Sequence, residues 1–410
     1  MQTIYQYHSE IQRKNYEKML SIISSLSNLF SDSDRPYLHY RIHENMYCKY
    51  LECENISRVD CSFDALKVID NTRIGVGLKT FLYKNDSFEK VAEFNKNSIK
   101  LDNIDNPIDK IKTIANWRNE RINFAKRTYA TSSEIYHCIV RKQGKLIIYE
   151  EPMHLIDLST LKIEKQNSKK THVINFSDQY NHYKYNESKS TLFKKFTITE
   201  TTNIFQTINI NILSDPFSLL ESIYQNPSTG KILPLKSGKE VQQYLNVSDL
   251  EVSYKKSNKK NEFIILPLYS EKGEKHVPPK SGLNLWNASG RVRNPYEVEI
   301  RISPWIHETF PNFFPKKDTK FNLILPNNQN LLCKVCQQNG KALMSNPNSD
   351  LGHWLRDTIF RKSPGELITL DDMLIRGIDS VIIKKQNNQF FIDFASIGSY
   401  EEFKNEYKKN

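Results

Sequence analysis

A carboxylate and a lysine lie close together in a short, strand-like part of the chain. Residues 62–81 contain Asp64 in their first half and Lys79 in their second half. Two β segments joined at the turn signal Asp70-Asn71-Thr72 would bring these side chains together. A carboxylate can hold Mg²⁺, and a neighbouring lysine can orient a water molecule and stabilise charge on pentavalent phosphorus. The chemistry indicated is metal-assisted hydrolysis of a phosphodiester.

The same segment resembles the PD-(D/E)XK nuclease superfamily, in which an Asp on one strand is followed by (Asp/Glu)-X-Lys on the next. Asp64 matches the first Asp and Lys79 the lysine, but Gly77 occupies the place of the second carboxylate. The resemblance implies that another acid completes the metal site. Glu44, on the preceding predicted helix, is the first candidate and Glu93 the second.

Two glycines inside the second β segment, Gly75 and Gly77, indicate that another backbone or a ligand approaches closely. An Asp and a Lys on neighbouring strands are also common in proteins without a nuclease site. However, GVGLKTF followed by KVAEFNK is similar to the N-terminal domains of a set of bacterial restriction enzymes, over about residues 35–200.

An excess of basic residues favours a polyanionic partner, because each phosphate contact releases condensed counterions. The formal net charge is +11. A Lys- and Asn-rich composition inherited from an AT-rich genome is the simpler alternative. Arg118 and Arg121 share a face of a predicted helix, and Lys189 and Ser190 lie in the basic, aromatic segment HYKYNESKSTLFKKF. These four residues suit phosphate contact, although a solvated basic face would have the same pattern.

Two polar loops near the C-terminus have the chemistry of base recognition, because Arg can bond guanine and Asn can bond adenine bidentately. The first loop offers six candidates and the second three: Ser281, Asn284, Trp286, Arg291, Arg293 and Asn294, then Lys341, Asn346 and Asn348.

The motifs around these loops resemble the DNA-binding pseudobarrel shared by plant transcription factors and by effector or recognition domains of restriction endonucleases. LPLY, SGLN, R-x-R-N-P-x-E, FFP, GKA, NS.LG and FIDF follow one another over about residues 264–396. The resemblance implies two arms that grip the major groove, an N-arm at Ser281–Asn294 and a C-arm at Lys341–Asn348. The alternative is a strand entry with a solvated loop.

Periodicity predicts the elements that position these residues. Helical patterns cover residues 16–30, 36–51, 87–96 and 108–126, a β-hairpin covers 134–150, and a helix covers 353–361. The fold class expected is an α/β (α+β) restriction-endonuclease-like domain at residues 1–155, extended by a middle region at 156–258 with DNA contacts. An all-β pseudobarrel follows at 259–400, after a polar linker at 253–260.

Several classes of protein are disfavoured by the sequence. No apolar run approaches the roughly 20 residues of a membrane span, and the scattered cysteines suit a reducing cytoplasm. Cys333 and Cys336 have metal-ligand spacing, but their alternating neighbours favour buried strand cysteines over a zinc site.

The sequence therefore predicts a cytoplasmic type II restriction endonuclease that hydrolyses double-stranded DNA with Mg²⁺ at or near a short sequence. A homodimer and a cognate DNA methyltransferase are the expected partners besides DNA. The main alternative is a non-catalytic, sequence-specific DNA-binding protein with a degenerate nuclease domain. An RNA-directed nuclease is disfavoured, since the major groove of A-form RNA is too narrow for side chains.

Overall fold

The computed structural model describes residues 3–56, 61–84, 87–94, 100–164, 172–225 and 262–407. Elements are numbered in chain order. The first sheet has the strand order β1-β2-β3-β5-β6-β11. Its strands are β1 (Glu54–Asn55), β2 (Ala65–Ile69), β3 (Thr72–Leu82), β5 (Ser133–Lys142), β6 (Lys145–Pro152) and β11 (Ile204–Asn209).

The predicted turn between β2 and β3 is confirmed. Asp70 and Asn71 have φ angles of 46° and 65°, which Asp and Asn tolerate better than most residues and which two-residue hairpins require. β3 then pairs in parallel with β5. A parallel neighbour needs a long crossover, and α4 (Pro107–Tyr129) lies in it.

Helices cover both faces of this sheet. α2 (Glu10–Ser25) and α3 (Tyr40–Tyr50) pack on one face through an apolar cluster that includes Tyr16, Leu20 and Tyr47. α4 packs on the other face through Ile122, Ala125 and Tyr129. Two short helices, α1 (Ile4–Tyr7) and α5 (Pro216–Gln225), complete this part of the chain.

The second sheet is antiparallel and has the order β4-β10-β9-β8-β7. Its strands are β4 (Ser87–Glu93), β7 (Lys162–Ile163), β8 (Val173–Ser177), β9 (His182–Asn186) and β10 (Thr191–Phe196). The predicted helix over 87–96 was wrong, because residues 87–93 pair with β10 about a hundred residues later. β4 lies in a sheet with strands of the middle region, and β11 pairs with β6 of the first sheet.

The third sheet forms a nearly closed barrel in the C-terminal third, in the order β12-β17-β18-β14-β15-β16-β13. Its strands are β12 (Glu262–Pro267), β13 (Ile300–Arg301), β14 (Lys320–Ile324), β15 (Asn330–Cys336), β16 (Ala342–Ser345), β17 (Ile378–Gln386) and β18 (Gln389–Ser396). Cys333 and Cys336 are buried on β15, as predicted.

Helices accompany the barrel, and the predicted helix after the C-arm is confirmed. They are α6 (Pro304–Thr309), α7 (Asp350–Gly352, continuing as His353–Phe360), α8 (Leu370–Arg376) and α9 (Ser399–Tyr407). The predicted linker at 253–260 lies outside the described residues. No helix in the described part of the chain is long and apolar enough to cross a membrane.

The barrel docks against α4. The rings of Phe124 and Phe394 meet edge to face with centroids 5.3 Å apart. The Tyr129 hydroxyl lies 3.1 Å from both carboxylate oxygens of Asp393. Polar contacts continue the interface, from Arg127 to the carbonyl of Ile359 and from Arg376 to Glu120. α4 therefore packs against the first sheet on one side and against the barrel on the other.

Candidate active site and nucleic-acid interface

Asp64 is held against β3 by two backbone contacts. Its own N–H donates to the Val76 carbonyl at 2.8 Å, and its Oδ2 accepts from the Leu78 N–H at 2.7 Å. The side chain is half-buried, and desolvation raises the pKa of this carboxyl, while Lys79 and Arg41 act in the opposite direction. Asp64 is therefore a positioned carboxylate in an environment that disfavours an isolated negative charge.

Lys79 lies on β3 beside this carboxylate. Its Nζ is 5.8 Å from the centroid of the Tyr136 ring. Its charge lowers the pKa of Asp64 and also that of His43, for which burial is the larger cause. Asp64 directly precedes β2 and bonds the backbone of Leu78, the residue before Lys79, so the two predicted site residues lie in the same part of the hairpin.

Aromatic side chains explain the two glycines of β3. A Cβ at Gly77 would lie 2.8 Å from Met153 Cε and 2.9 Å from the Tyr136 ring. A Cβ at Gly75 would lie 2.6 Å from the ring of Phe63. The expected close approach is thus made by side chains of the same chain. A side chain at position 77 would require Met153 and Tyr136 to shift.

Glu44 shares the surroundings of Asp64. It is buried on α3, and its Oε2 accepts from Arg41 Nη1 at 3.1 Å. The charge of Arg41 also lowers the pKa of Asp64. Burial raises the pKa of the Cys48 thiol, and both Asp64 and Glu44 add to that rise. The two carboxylates therefore lie in one neighbourhood.

The second candidate, Glu93, is engaged elsewhere. It lies on β4, and its carboxylate pairs with Lys90 at 3.0 Å on a partly exposed surface. Glu89, on the same strand, is affected by the charge of Lys79: burial raises the pKa of the Glu89 carboxyl, and Lys79 and Arg141 lower it. Sequence reasoning missed Glu89 because residues 87–96 were interpreted as a helix.

A buried polar network joins α3 to the sheet beneath it. The Tyr16 hydroxyl lies 2.9 Å from His43 Nε2 and 3.2 Å from His137 Nε2. His137 Nδ1 lies 3.1 Å from Glu150 Oε1. Because His43 directly precedes Glu44, this network fixes the turn of α3 that carries the acid.

Asp64 is the residue of this site best suited to bind a metal ion. Among the described residues, no group of three or more His, Cys, Asp or Glu side chains could hold a metal ion. Mg²⁺ is often bound by only one or two carboxylates, with water and substrate phosphates as its other ligands. Asp64 makes no ion pair within 4 Å to any cationic side chain that the structure describes. A half-buried carboxylate of this kind fits a hard cation.

Three of the four predicted phosphate contacts in the N-terminal part are buried in the protein. Arg118 donates to the Tyr136 hydroxyl at 2.6 Å and to Ser62 Oγ at 3.2 Å. Arg121 donates to the Glu93 carbonyl at 2.6 Å. Ser190 is also buried, with φ of 47°, and only Lys189 is exposed. The two arginines therefore hold α4 against its neighbours.

The N-arm contains one buried and several accessible candidates. Asn284 is completely buried, and its side-chain amide bonds to Pro278 and to both backbone groups of Ile368. Asn284 would have to break these three hydrogen bonds to reach a base. Its role is therefore to support the loop from inside. Ser281 is half-buried, and Trp286 lies under the guanidinium of Arg356, 5.0 Å from its ring centroid.

Arg291 and Arg293 are held by one acid. Each donates to Glu297 Oε1 at 2.6 Å. Glu297 is buried, whereas the side chain of Arg291 is 55% exposed. Asn294 is exposed, and its Oδ1 accepts from the Tyr296 N–H at 2.8 Å, which closes the tip of the loop.

The C-arm packs beside the N-arm. Lys341, Asn346 and Asn348 are half-buried, and the backbone N–H of Asn346 donates to the Leu332 carbonyl at 2.7 Å. A small apolar cluster joins the arms, with Leu285 from the N-arm against Cys336, Ala342 and Met344. Both arms therefore lie at the same end of the barrel.

Gly352 ties α7 to the N-arm. A Cβ at this position would lie 1.6 Å from the backbone oxygen of Tyr296. The adjacent His353 ring stacks on the Tyr296 ring at 3.7 Å. The glycine in the NS.LG motif is thus required for this close approach.

Comparison with known families agrees with this geometry. Residues 253–387 match the family model of the NgoFVII C-terminal B3-like DNA-binding domain, a restriction-enzyme family. The C-terminal third is similar to a DNA-binding domain of a restriction enzyme. The match supports the predicted pseudobarrel and a DNA partner, and it leaves the N-terminal unit outside its bounds. No curated protein matches the chain.

Proposed function

We propose that this chain is a type II restriction endonuclease. The N-terminal α/β unit would hydrolyse phosphodiester bonds of double-stranded DNA with Mg²⁺, and the C-terminal barrel would read a short sequence. The observation that carries the proposal is the match of residues 253–387 to a restriction-enzyme DNA-binding domain. The juxtaposition of Asp64 and Lys79 in the docked N-terminal unit supports the catalytic part.

The proposed site has two acids that would bind the metal ion and a lysine that would act on the water and the phosphate. Asp64, together with Glu44, would hold Mg²⁺, which when bound polarises a phosphoryl oxygen and lowers the pKa of bound water. Lys79 would donate to the attacking water or to the phosphoryl oxygens, where negative charge develops. Glu89 is a second candidate for the additional acid, because the charge of Lys79 acts on its carboxyl.

The accessible polar residues of the arms are the proposed base contacts. They are Ser281, Arg291, Asn294, Lys341, Asn346 and Asn348, with Trp286 supporting the loop. A positively charged chain suits phosphate backbones on either side of the groove. Cutting both strands would require two active sites, so a homodimer is part of the proposal, as is a DNA methyltransferase that protects the host sequence.

Cleavage of unmethylated phage DNA tests the catalytic part. The wild-type protein is incubated with the DNA in Mg²⁺ or in EDTA, beside Asp64→Asn and the matched control Asp70→Asn from the exposed turn of the same hairpin. We expect discrete fragments that require Mg²⁺, vanish with Asp64→Asn and persist with Asp70→Asn. Intact DNA in every lane, on several differently modified substrates, would overturn the endonuclease proposal.

A non-catalytic DNA-binding protein is the second candidate. The observation that favours it is Gly77 itself, which stands where the superfamily carries an acid and is packed against Met153 and Tyr136. A retained gel shift with intact DNA in all lanes would identify this function.

A further inference from the structure

Two arginines at the tip of the N-arm share one carboxylate oxygen. Arg291 Nη2 and Arg293 Nη1 each lie 2.6 Å from Glu297 Oε1, and the Glu297 side chain is only 2% exposed. Its second oxygen, Oε2, is buried and has no hydrogen-bond partner among the residues that the structure describes. Two cations against one anion leave a net positive charge at the loop tip.

The two arginines are not equivalent. The Arg291 side chain is 55% exposed, whereas that of Arg293 is 18% exposed and its Nε is buried. Arg293 therefore neutralises Glu297 from within the loop. Arg291 is anchored through Nη2 on Glu297 and through Nη1 on the Val292 carbonyl at 3.3 Å, while its side chain stays 55% exposed. This anchoring lowers the entropy that a bidentate contact must lose.

The residue between them is the most exposed large hydrophobic side chain described in the protein. Val292 is 98% exposed. A single exposed apolar residue is ordinary on a protein surface, but this one lies between two anchored arginines at the tip of an arm of a DNA-binding domain. An apolar side chain in the major groove contacts the 5-methyl group of thymine.

We propose that Arg291, Val292 and Glu297 form one base-reading unit. Arg291 bonds the O6 and N7 atoms of a guanine, Val292 packs on the methyl group of an adjacent thymine, and Glu297 is the positioning residue that orients Arg291. The inference rests on the proposed sequence reading by the barrel and is independent of cleavage.

Removing the charge of Glu297 should have opposite effects on specific and on non-specific DNA binding. Without the fixed edge, Arg291 is free to pair with any phosphate, and the net charge rises by one. Non-specific binding should therefore stay unchanged or tighten. Specific binding should weaken by about 10- to 100-fold, the range for one lost bidentate contact.

Selection from a random-sequence duplex pool tests the proposal on the full chain in EDTA, so that cutting does not enter. Sequencing of the bound fraction gives the preference at each base pair for wild type, Glu297→Gln, Val292→Ser and the matched control Glu299→Gln. Glu299 is equally buried and pairs with Arg301 on β13. The control therefore removes the same charge from a position of similar burial. Fluorescence anisotropy then gives the Kd for the selected duplex and for a scrambled duplex.

We expect Glu297→Gln to lose the preference for one guanine while its Kd for the scrambled duplex stays equal or falls. Val292→Ser should lose the preference for an adjacent thymine, and replacing that thymine by deoxyuridine should weaken wild type but not Val292→Ser. Glu299→Gln should keep the wild-type preferences. A parallel loss of specific and scrambled binding in Glu297→Gln would show a structural role and overturn the proposal, as would the same loss in Glu299→Gln. Failure of wild type to enrich any sequence would overturn it together with the proposed reading role.

Discussion

Burial of Asp393 at the contact between the barrel and α4 makes the docking of the two units sensitive to pH. Asp393 lies on β18 of the barrel, and its carboxylate meets the Tyr129 hydroxyl from α4. Burial raises the pKa of Asp393 from 3.8 to about 6. The backbone N–H of Phe394 and the charge of Lys384 lower this pKa, but their effect is smaller. The folded protein therefore holds this proton to a higher pH than the unfolded chain does.

The sign and size of the effect follow from linkage. Between pH 4 and 6 the folded state binds more protons than the unfolded state, so the free energy of unfolding falls as pH rises. One pKa unit corresponds to about 1.4 kcal/mol, so the full effect is about 3 kcal/mol. Of this, about 1.4 kcal/mol is lost between pH 5 and pH 7.5.

Asp393→Asn removes the titration and keeps an oxygen that can accept from Tyr129. Urea unfolding at pH 5 and 7.5 can be monitored by tryptophan fluorescence, because Trp354 stacks on Phe394 next to this site. We expect the loss of unfolding free energy between the two pH values to be smaller in the variant by about 1.4 kcal/mol. The exposed Asp318→Asn should keep the wild-type difference. An Asp393→Asn protein with the wild-type pH dependence would refute the reasoning.

Three other substitutions probe the site and its support. Lys79→Ala should slow single-turnover cleavage by about 10²- to 10³-fold with DNA binding nearly unchanged; an equal loss with the control Lys142→Ala would contradict its role. Tyr16→Phe leaves two buried imidazoles without their shared partner and should cost about 1–3 kcal/mol in urea unfolding; wild-type stability would contradict the network. Gly352→Ala forces a Cβ against a backbone oxygen, so it should cost about 1–3 kcal/mol or more and weaken DNA binding in gel shifts. An unchanged Tm would contradict that packing.

Local signals in the sequence predicted several elements correctly. The Asp70-Asn71 turn, the long helix α4 and the β5–β6 hairpin depend on residues close in the chain, whose periodicity and turn chemistry are visible without the fold. The spaced motifs of the C-terminal third likewise indicated the barrel, and the family match supports that prediction.

Long-range contacts account for what could not be predicted. β4 is a strand because β10 pairs with it from far along the chain, and Glu89 became visible only with that strand. A glycine is needed at position 77 because the ring of Tyr136 on β5 packs against it, as does the end of Met153. Burial of Arg118, Arg121 and Asn284 depends on neighbours that no local pattern reveals, so polar residue types alone did not show which side chains are accessible.

Sequencing the ends of DNA fragments produced by the wild-type protein in Mg²⁺ shows whether the N-terminal unit cuts where the barrel binds. We expect the ends to lie at a fixed distance from one short sequence. The same sequence should be the one that Asp64→Asn, which binds without cutting, selects from a random duplex pool. Ends scattered without relation to any sequence, or equal cutting by Asp64→Asn, would contradict the claim that the Asp64 site cuts where the barrel reads.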